Sequence, residues 1–394
     1  MLGASPGAHA QTATRAALTL DEAVATALTA NADAIFARLR VDSARGERRI
    51  AGALPPLALA SIPQSPWQYS VSVPLDVGPQ RFYRTHAATG ALRAAGADEL
   101  DTRRLIVFAV RQTFADVLLA ETVRDVAREE RGMLAQILAA GSARYRAGDV
   151  PERDVTKAEL ELARADAALT RADAQVHAAR LSLQLVIGRS DPDTAAGVRG
   201  SLAYRAVPVP DSLLALAAQH RPDILAARER AGQSQLLARL ASAQLLPVPV
   251  ASLVYQNGAP FPTGSPWGVG LGVQLPLLYW MSGERERSRA GSAAAAVAVQ
   301  RTHAQVANEV LTAVDAYRSA RSLAERYQGG LLARAASVVE TTRYAYQAGA
   351  ASLLELIDAI RVDAAVRVDD ATARHDYWVA VYALCRATAM EFLP

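Results

Sequence analysis

Residues 155–186 read VTKAELELARADAALTRADAQVHAARLSLQLV. Val155, Leu162, Leu169, Val176 and Leu183 recur at intervals of seven, and Ala158, Ala165, Ala172, Ala179 and Val186 form a second row three residues on. That is an a/d heptad seam whose small row lets a partner helix approach closely. The partner lies just upstream. A helical pattern runs almost unbroken from about Arg84 to Arg146, a rod on the order of 90 Å at about 1.5 Å per residue. Between the two helices, Tyr145 to Pro151 holds Gly148, a natural residue just past a helix end, and Pro151, a natural first helical residue. The spacing predicts an antiparallel hairpin of two long helices.

The same design occurs twice. Tyr145-Arg146-Ala147-Gly148 recurs as Tyr346-Gln347-Ala348-Gly349, Pro66-Trp67 as Pro266-Trp267, and Asn31-Ala32-Asp33 corresponds to Arg221-Pro222-Asp223. A tandem repeat is therefore expected, 18–188 and 211–391, joined by a Gly/Pro-rich connector over 189–210. Each repeat reads as helix, two short strands, long helix, turn and helix. In the first, Leu20 to Ala51 is helical, with Thr19 and Glu22 forming a capping box and Pro55-Pro56 stopping it. The second long hairpin spans about Gly283 to Met390. Its seam keeps Ala359, Val366, Ala373, Ala380 and Ala387, but Asp363 and Asp370 stand in the other row with Leu356, Tyr377 and Leu384. Carboxylates there are costly unless wet or paired, so this face either lines water or is rotated toward bulk solvent.

Between the helices the period changes to two. Tyr69, Val71, Val73 and Leu75 alternate with Gln68, Ser70, Ser72 and Pro74, and Val269, Leu271, Val273 and Leu275 alternate with Gly268, Gly270, Gly272 and Gln274. Weaker extended runs precede them, near Leu57–Ile62 and Val248–Tyr255, giving four strands per chain. Four such strands leave long open edges, whereas three chains close an antiparallel barrel of twelve. Trp67, Trp267, Tyr255, Tyr279 and Trp280 lie at strand ends, where membrane aromatic girdles sit.

Composition narrows the classes. Of the 394 residues 51% are hydrophobic but only 6% aromatic, which suits long helices. The 42 basic and 39 acidic residues are interspersed, which argues against nucleic acid as a partner. Cys385 is the single cysteine, so no intramolecular disulfide or cysteine metal cluster can form; it reads as a buried helix residue. No run of 18 apolar residues predicts a transmembrane helix. Ala8-His9-Ala10-Gln11 has the form of a signal-peptidase site, so residues 1–17 are a signal remnant or a disordered tail. P-loop and H-E-x-x-H patterns are lacking, Gly268, Gly270 and Gly272 precede no helix start, and His177, His303 and His375 read as scattered helix-surface residues. No enzyme, cofactor or metal site is expected.

The element order, with Leu18-Thr19-Leu20-Asp21-Glu22-Ala23-Val24, Arg221-Pro222-Asp223-Ile224 and above all Ser352-Leu353-Leu354-Glu355-Leu356-Ile357-Asp358-Ala359, resembles the TolC-type outer-membrane factors, including their heavy-metal efflux branch. The resemblance implies a mainly α chain with a small β part, trimerising into a 12-stranded β-barrel in the outer membrane continued by an α-helical barrel in the periplasm. It implies a passive duct fed by a periplasmic adaptor and an inner-membrane pump. It places the entrance acids on Glu355 and Asp358, a tip hydrogen bond on Tyr346 and Asp154, and the adaptor-docking tip turns on Tyr145, Gly148 and Gly349. The departures are Ala32 in place of a usual proline, Asp149 and Ala350 in place of apolar residues after the tip glycines, and Ala351 where some members carry an arginine. The competing expectation is a soluble periplasmic coiled-coil adaptor or scaffold without a pore, and Glu355 and Asp358 would then simply favour a helix N-terminus.

Overall fold

Thr19 opens the first helix, its hydroxyl accepting from the Glu22 N–H while the Glu22 carboxylate accepts from the Thr19 N–H. From there the computed structural model describes residues 17–76, 78–189, 197–210, 212–258, 261–274 and 280–392. The element order is α1 (Leu20–Ala30), α2 (Ala32–Gly52), β1 (Ala58–Ile62), β2 (Trp67–Pro74), α3 (Pro79–Arg146), α4 (Glu152–Val186), α5 (Leu213–His220), α6 (Pro222–Ala243), β3 (Val248–Asn257), β4 (Trp267–Gln274), α7 (Ser282–Gln328), α8 (Leu331–Gln347) and α9 (Leu353–Thr388). The signal-like residues Ala8 to Gln11 lie outside the described residues.

Two differences from the sequence reading concern helix breaks. The single helix expected over Leu20–Ala51 is two, because Asn31 leaves helical geometry at ψ 135. Its side-chain oxygen accepts from the Asp33 and Ala34 N–H groups, capping α2, while its amide donates to the Val186 carbonyl at 2.8 Å. Likewise the helix running up to Gly349 pauses at Gly329-Gly330, where Gly330 adopts φ 99, in the left-handed region.

The chain divides into two compact units, each assembled from separated stretches. The first comprises Met1–Ala34, Arg104–Asp211 and Leu311–Pro394. Within it all ten α4 seam residues are buried or half-buried. One core cluster packs Ala23, Ala27, Ile106, Val110, Phe114, Val117, Leu183 and Ile187 together, each large side chain contributing about 1.5–3 kcal/mol by leaving water. Asp363 and Asp370 are 8% and 5% exposed, so neither the water-lining nor the bulk-solvent alternative holds within this chain. Arg374, one turn on, pairs with Asp370 at 2.5 Å and offsets the burial.

The connector is strapped down by aromatic side chains. The Tyr377 hydroxyl donates to the Arg205 carbonyl at 2.8 Å and accepts from the Val207 N–H at 3.1 Å, while Tyr317 donates to the Val207 carbonyl. Burial pushes the Tyr377 hydroxyl pKa up to about 12. Trp378 and Tyr204 add bonds to the Ala203 carbonyl and the Glu325 carboxylate, and Leu18 forms a short parallel bridge with Val198.

His375 is not the surface residue expected: its side chain is 13% exposed and its ring lies 2.7 Å from Asp116 on α3 and 3.0 Å from Asp376. Burial disfavours its charge, yet the hydrogen-bonded Asp116 and Asp376 carboxylates hold its pKa above 6.5. A raised folded-state pKa contributes stability that is full below the unfolded value and is lost as pH rises through the folded one. The parent is therefore expected to lose more stability between about pH 6 and about pH 8.5 than His375→Gln does. Denaturant midpoints at both pH values check this, and equal losses would refute it.

The second unit, Ile35–Arg103 and Ser212–Val310, carries the sheet. Its order is β1-β2-β3-β4, all antiparallel, with each hairpin as expected and the two joined through β2 and β3 from Trp67↔Asn257 to Pro74↔Val250. In the same unit, Arg221 is 4% exposed and grips two carboxylates, Asp223 at 2.6 Å and Glu309 at 2.6 Å. Burial opposes its charge, but the hydrogen bonds to Asp223 and Glu309 hold its pKa above its ordinary value. Arg230 pairs with Asp98 in the same unit.

Candidate functional site

The tips of the first unit are built by one turn used twice. At Gly148 the Asp149 N–H donates to the Arg144 carbonyl at 2.9 Å and the Gly148 N–H to the Tyr145 carbonyl at 2.9 Å. At Gly349 the Ala350 N–H donates to Ala345 at 2.8 Å and the Gly349 N–H to Tyr346 at 3.1 Å. Both are Schellman closures, with Gly148 at φ 85 and Gly349 at φ 76, conformations a side chain would strain. Pro151 stands at the N-cap of α4, and Ser352 caps α9 by exchanging bonds with Glu355.

The first turn of α9 is held by a wedge. Leu356 and Ile360 pack with Val339, and Ile357 packs with Leu134 and Ala165. With those residues inside, Glu355 and Asp358 emerge side by side on the exposed face, three residues apart. One Glu355 oxygen accepts from the Ser352 N–H at 3.0 Å, so this residue also serves as a helix cap. The Tyr346 ring lies under the Arg144 guanidinium at 5.7 Å, bringing the two tips of one chain together. Asp154 pairs loosely with Arg153 at 3.7 Å, and no hydrogen bond among the described residues joins it to Tyr346. Tyr145 is 43% exposed.

Sequence reasoning missed the ion pairs that tie hairpin to hairpin above the tips. Arg361 of α9 donates to Glu161 of α4 at 2.8 Å, and Arg367 pairs with Glu129 of α3 at 2.5 Å. These partners are about half the chain apart in sequence, and no local pattern marks them.

The sheet of the second unit has two unlike faces. Residues paired across the ladder share a face, so Tyr69, Tyr255 and Trp267 stand together, as do Val71, Leu253 and Val269. Val269 and Leu271 are 83% and 80% exposed. The opposite face carries Gln68, Ser70, Ser72, Ser252, Gly268, Gly270 and Gly272, with Ile62, Val250 and Val254 among them. Trp67, Tyr69, Tyr255 and Trp267 form an aromatic ladder at one end, with neighbouring centroids 4.9 to 6.5 Å apart. Trp280, 69% exposed, follows β4 toward the other end. Tyr279 lies outside the described residues. Among the described residues no helix is long and apolar enough to cross a membrane.

Residues 63–189 match the family model of outer membrane efflux proteins, from the first strand turn to the end of the α4 hairpin. That segment is about a third of the chain, and over nearly the whole chain the fold is that of solved outer membrane channels. Its structure superimposes on the CmeC outer membrane channel of Campylobacter jejuni with TM-score 0.81 at 16% identity, covering 94% of this chain and 85% of that one. The VceC outer membrane protein of Vibrio cholerae gives 0.78 at 19%, covering 95% and 97%. The open-state MtrE outer membrane channel of Neisseria gonorrhoeae gives 0.80 at 19%, covering 94% and 89%. No curated protein matches the sequence.

Proposed function

We propose that the chain is one subunit of a homotrimeric outer-membrane channel that passively conducts substrates handed on by a periplasmic adaptor and an inner-membrane pump. The observation that carries this is the sheet. Four antiparallel strands expose an aliphatic and aromatic face, keep a mainly small and polar face opposite, and among the described residues end on unpaired edges at β1 and β4. Only closure with other copies satisfies both edges, and twelve strands from three chains give a lumen lined by the polar face and an outside suited to lipid. A soluble coiled-coil scaffold would have no use for such a sheet.

In this reading the two sequence repeats each supply one hairpin of helices and one of strands, and the tips form the periplasmic entrance. Glu355 and Asp358, exposed and adjacent on α9, then make two rings of three carboxylates that favour cations. The turns at Gly148 and Gly349, with Tyr145, present the surface for the adaptor, and Asp154 and Tyr346 meet across neighbouring hairpins of the closed entrance.

Single-channel conductance in planar bilayers tests this. The purified parent is expected to form cation-selective pores, and Glu355→Ala with Asp358→Ala to lower the cation preference several-fold. Pores with unaltered selectivity would discard the acid rings and keep the duct. A folded trimer that forms no pores would discard the duct.

A further inference from the structure

We propose that the helix-side rim of the sheet carries an arginine collar that binds the phosphate headgroups of anionic phospholipid in the adjoining leaflet. This rests on the membrane reading above and adds a side, a lipid chemistry and the residues.

The strand ends that adjoin helices in the sequence, Ala58, Pro74, Val248 and Gln274, all lie at one end of the sheet. The described flanking residues 42–57, 75–76, 78–84, 239–247 and 280–289 hold nine arginines and five carboxylates, a net charge of 9 − 5 = +4. At the other end the described residues 63–66, 258 and 261–266 hold no charge, and neither do the strands. One end of the apolar band is thus basic and the other neutral.

Some of these arginines are committed to the fold. Arg81 donates to the Gly52 carbonyl and Arg84 to the Ala51 carbonyl, both at 2.9 Å, closing the C-terminus of α2, and Arg45 pairs with Asp42. Arg48, Arg49, Arg287 and Arg289 are exposed, and no ion pair of the described residues engages them. They stand among large exposed apolar side chains, Ile50 at 68%, Leu54 at 73% and Trp280 at 69%. Guanidinium forks above an apolar flank match a phosphodiester above acyl chains, because the fork binds phosphate oxygens two at a time and is weakly hydrated. Each such cation adds attraction to an anionic surface within a Debye length.

The test uses the full chain as a trimer in neutral detergent, with phosphatidylglycerol or phosphatidylcholine of identical acyl chains, and native mass spectrometry to count retained lipid. Retention of phosphatidylglycerol over phosphatidylcholine, weakening with salt, is expected. It should fall at least about tenfold in the quadruple variant Arg48→Gln, Arg49→Gln, Arg287→Gln, Arg289→Gln. A control removing the same charge from the first unit, Arg153→Gln, Arg164→Gln, Arg318→Gln and Arg334→Gln, should retain lipid like the parent. Undiminished retention in the collar variant, or an equal fall in the control, overturns the collar. If the quadruple variant does not assemble, the pairs Arg48→Gln/Arg49→Gln and Arg287→Gln/Arg289→Gln are read instead, each expected to lose several-fold. Pore formation by the parent is scored separately. Pores without phosphatidylglycerol preference sink the collar alone, whereas a parent that forms no pores sinks the membrane reading on which it rests.

Discussion

Gly188→Ala is expected to destabilise the protein by about 2–6 kcal/mol, the sum of a backbone term and a steric term of roughly equal size. Gly188 closes α4 at φ 78, in the left-handed region, with the Arg189 N–H donating to the Gln184 carbonyl at 3.0 Å. A Cβ at this position would lie 2.6 Å from the Ala30 carbonyl carbon and 2.8 Å from the Asn31 nitrogen. Both are main-chain atoms at the junction of α1 and α2, and no rotamer change relieves such a clash. The neighbouring Asn31 amide bond to Val186 would be broken by any backbone shift that did. Gly46→Ala is the matched control, since nothing lies within 4 Å of a Cβ there and the site is inside α2. It should be neutral or stabilising by up to about 1 kcal/mol. Melting in detergent reads both, and a Gly188→Ala protein that melts with the parent would show that the approach of Gly188 to Ala30 is not tight.

Arg221→Leu is expected to cost about 2–4 kcal/mol, below the usual toll for breaking a fully buried pair because Asp223 and Glu309 keep some contact with water. The guanidinium fork uses separate nitrogens for the two carboxylates, binding Asp223 through Nε and Nη2 and Glu309 through Nη1. Lysine supplies charge but no fork. Arg221→Lys should therefore recover only part of the loss. Full recovery in the melting temperature would mean that charge alone, and not geometry, holds α6 to α7.

The contrast between Arg221 and Asn31 marks where sequence reading ends. Both start the second helix of a repeat, and their correspondence was legible from Asn31-Ala32-Asp33 and Arg221-Pro222-Asp223. Their partners were not, because Asn31 reaches a carbonyl 155 residues away and Arg221 a carboxylate 88 residues away. The α4 seam, the tip glycines and the Thr19–Glu22 capping box were readable because each is decided within about one or two turns by spacing and backbone preference. The strand hairpins were readable for the same reason, while the β2–β3 junction that fuses them depends on register between segments nearly two hundred residues apart. Asp363 and Asp370 misled because the seam pattern records position and not company: Arg374 sits one turn beyond Asp370. At the candidate entrance the family resemblance singled out Glu355 and Asp358, and the wedge of Leu356, Ile357 and Ile360 that holds both outward came only with the packing.

The aromatic strap over the connector sets an order of events during synthesis. The Val207 backbone waits for Tyr317, 110 residues later, and for Tyr377, 170 residues later. Until those two rings have been made, its N–H and carbonyl have no protein partner from α7 or α9, and the core around Tyr377 cannot close. Non-local closure of this kind is paid in loop entropy before any contact returns it. The connector at Val207 therefore stays open until the segments carrying Tyr317 and Tyr377 have both reached it.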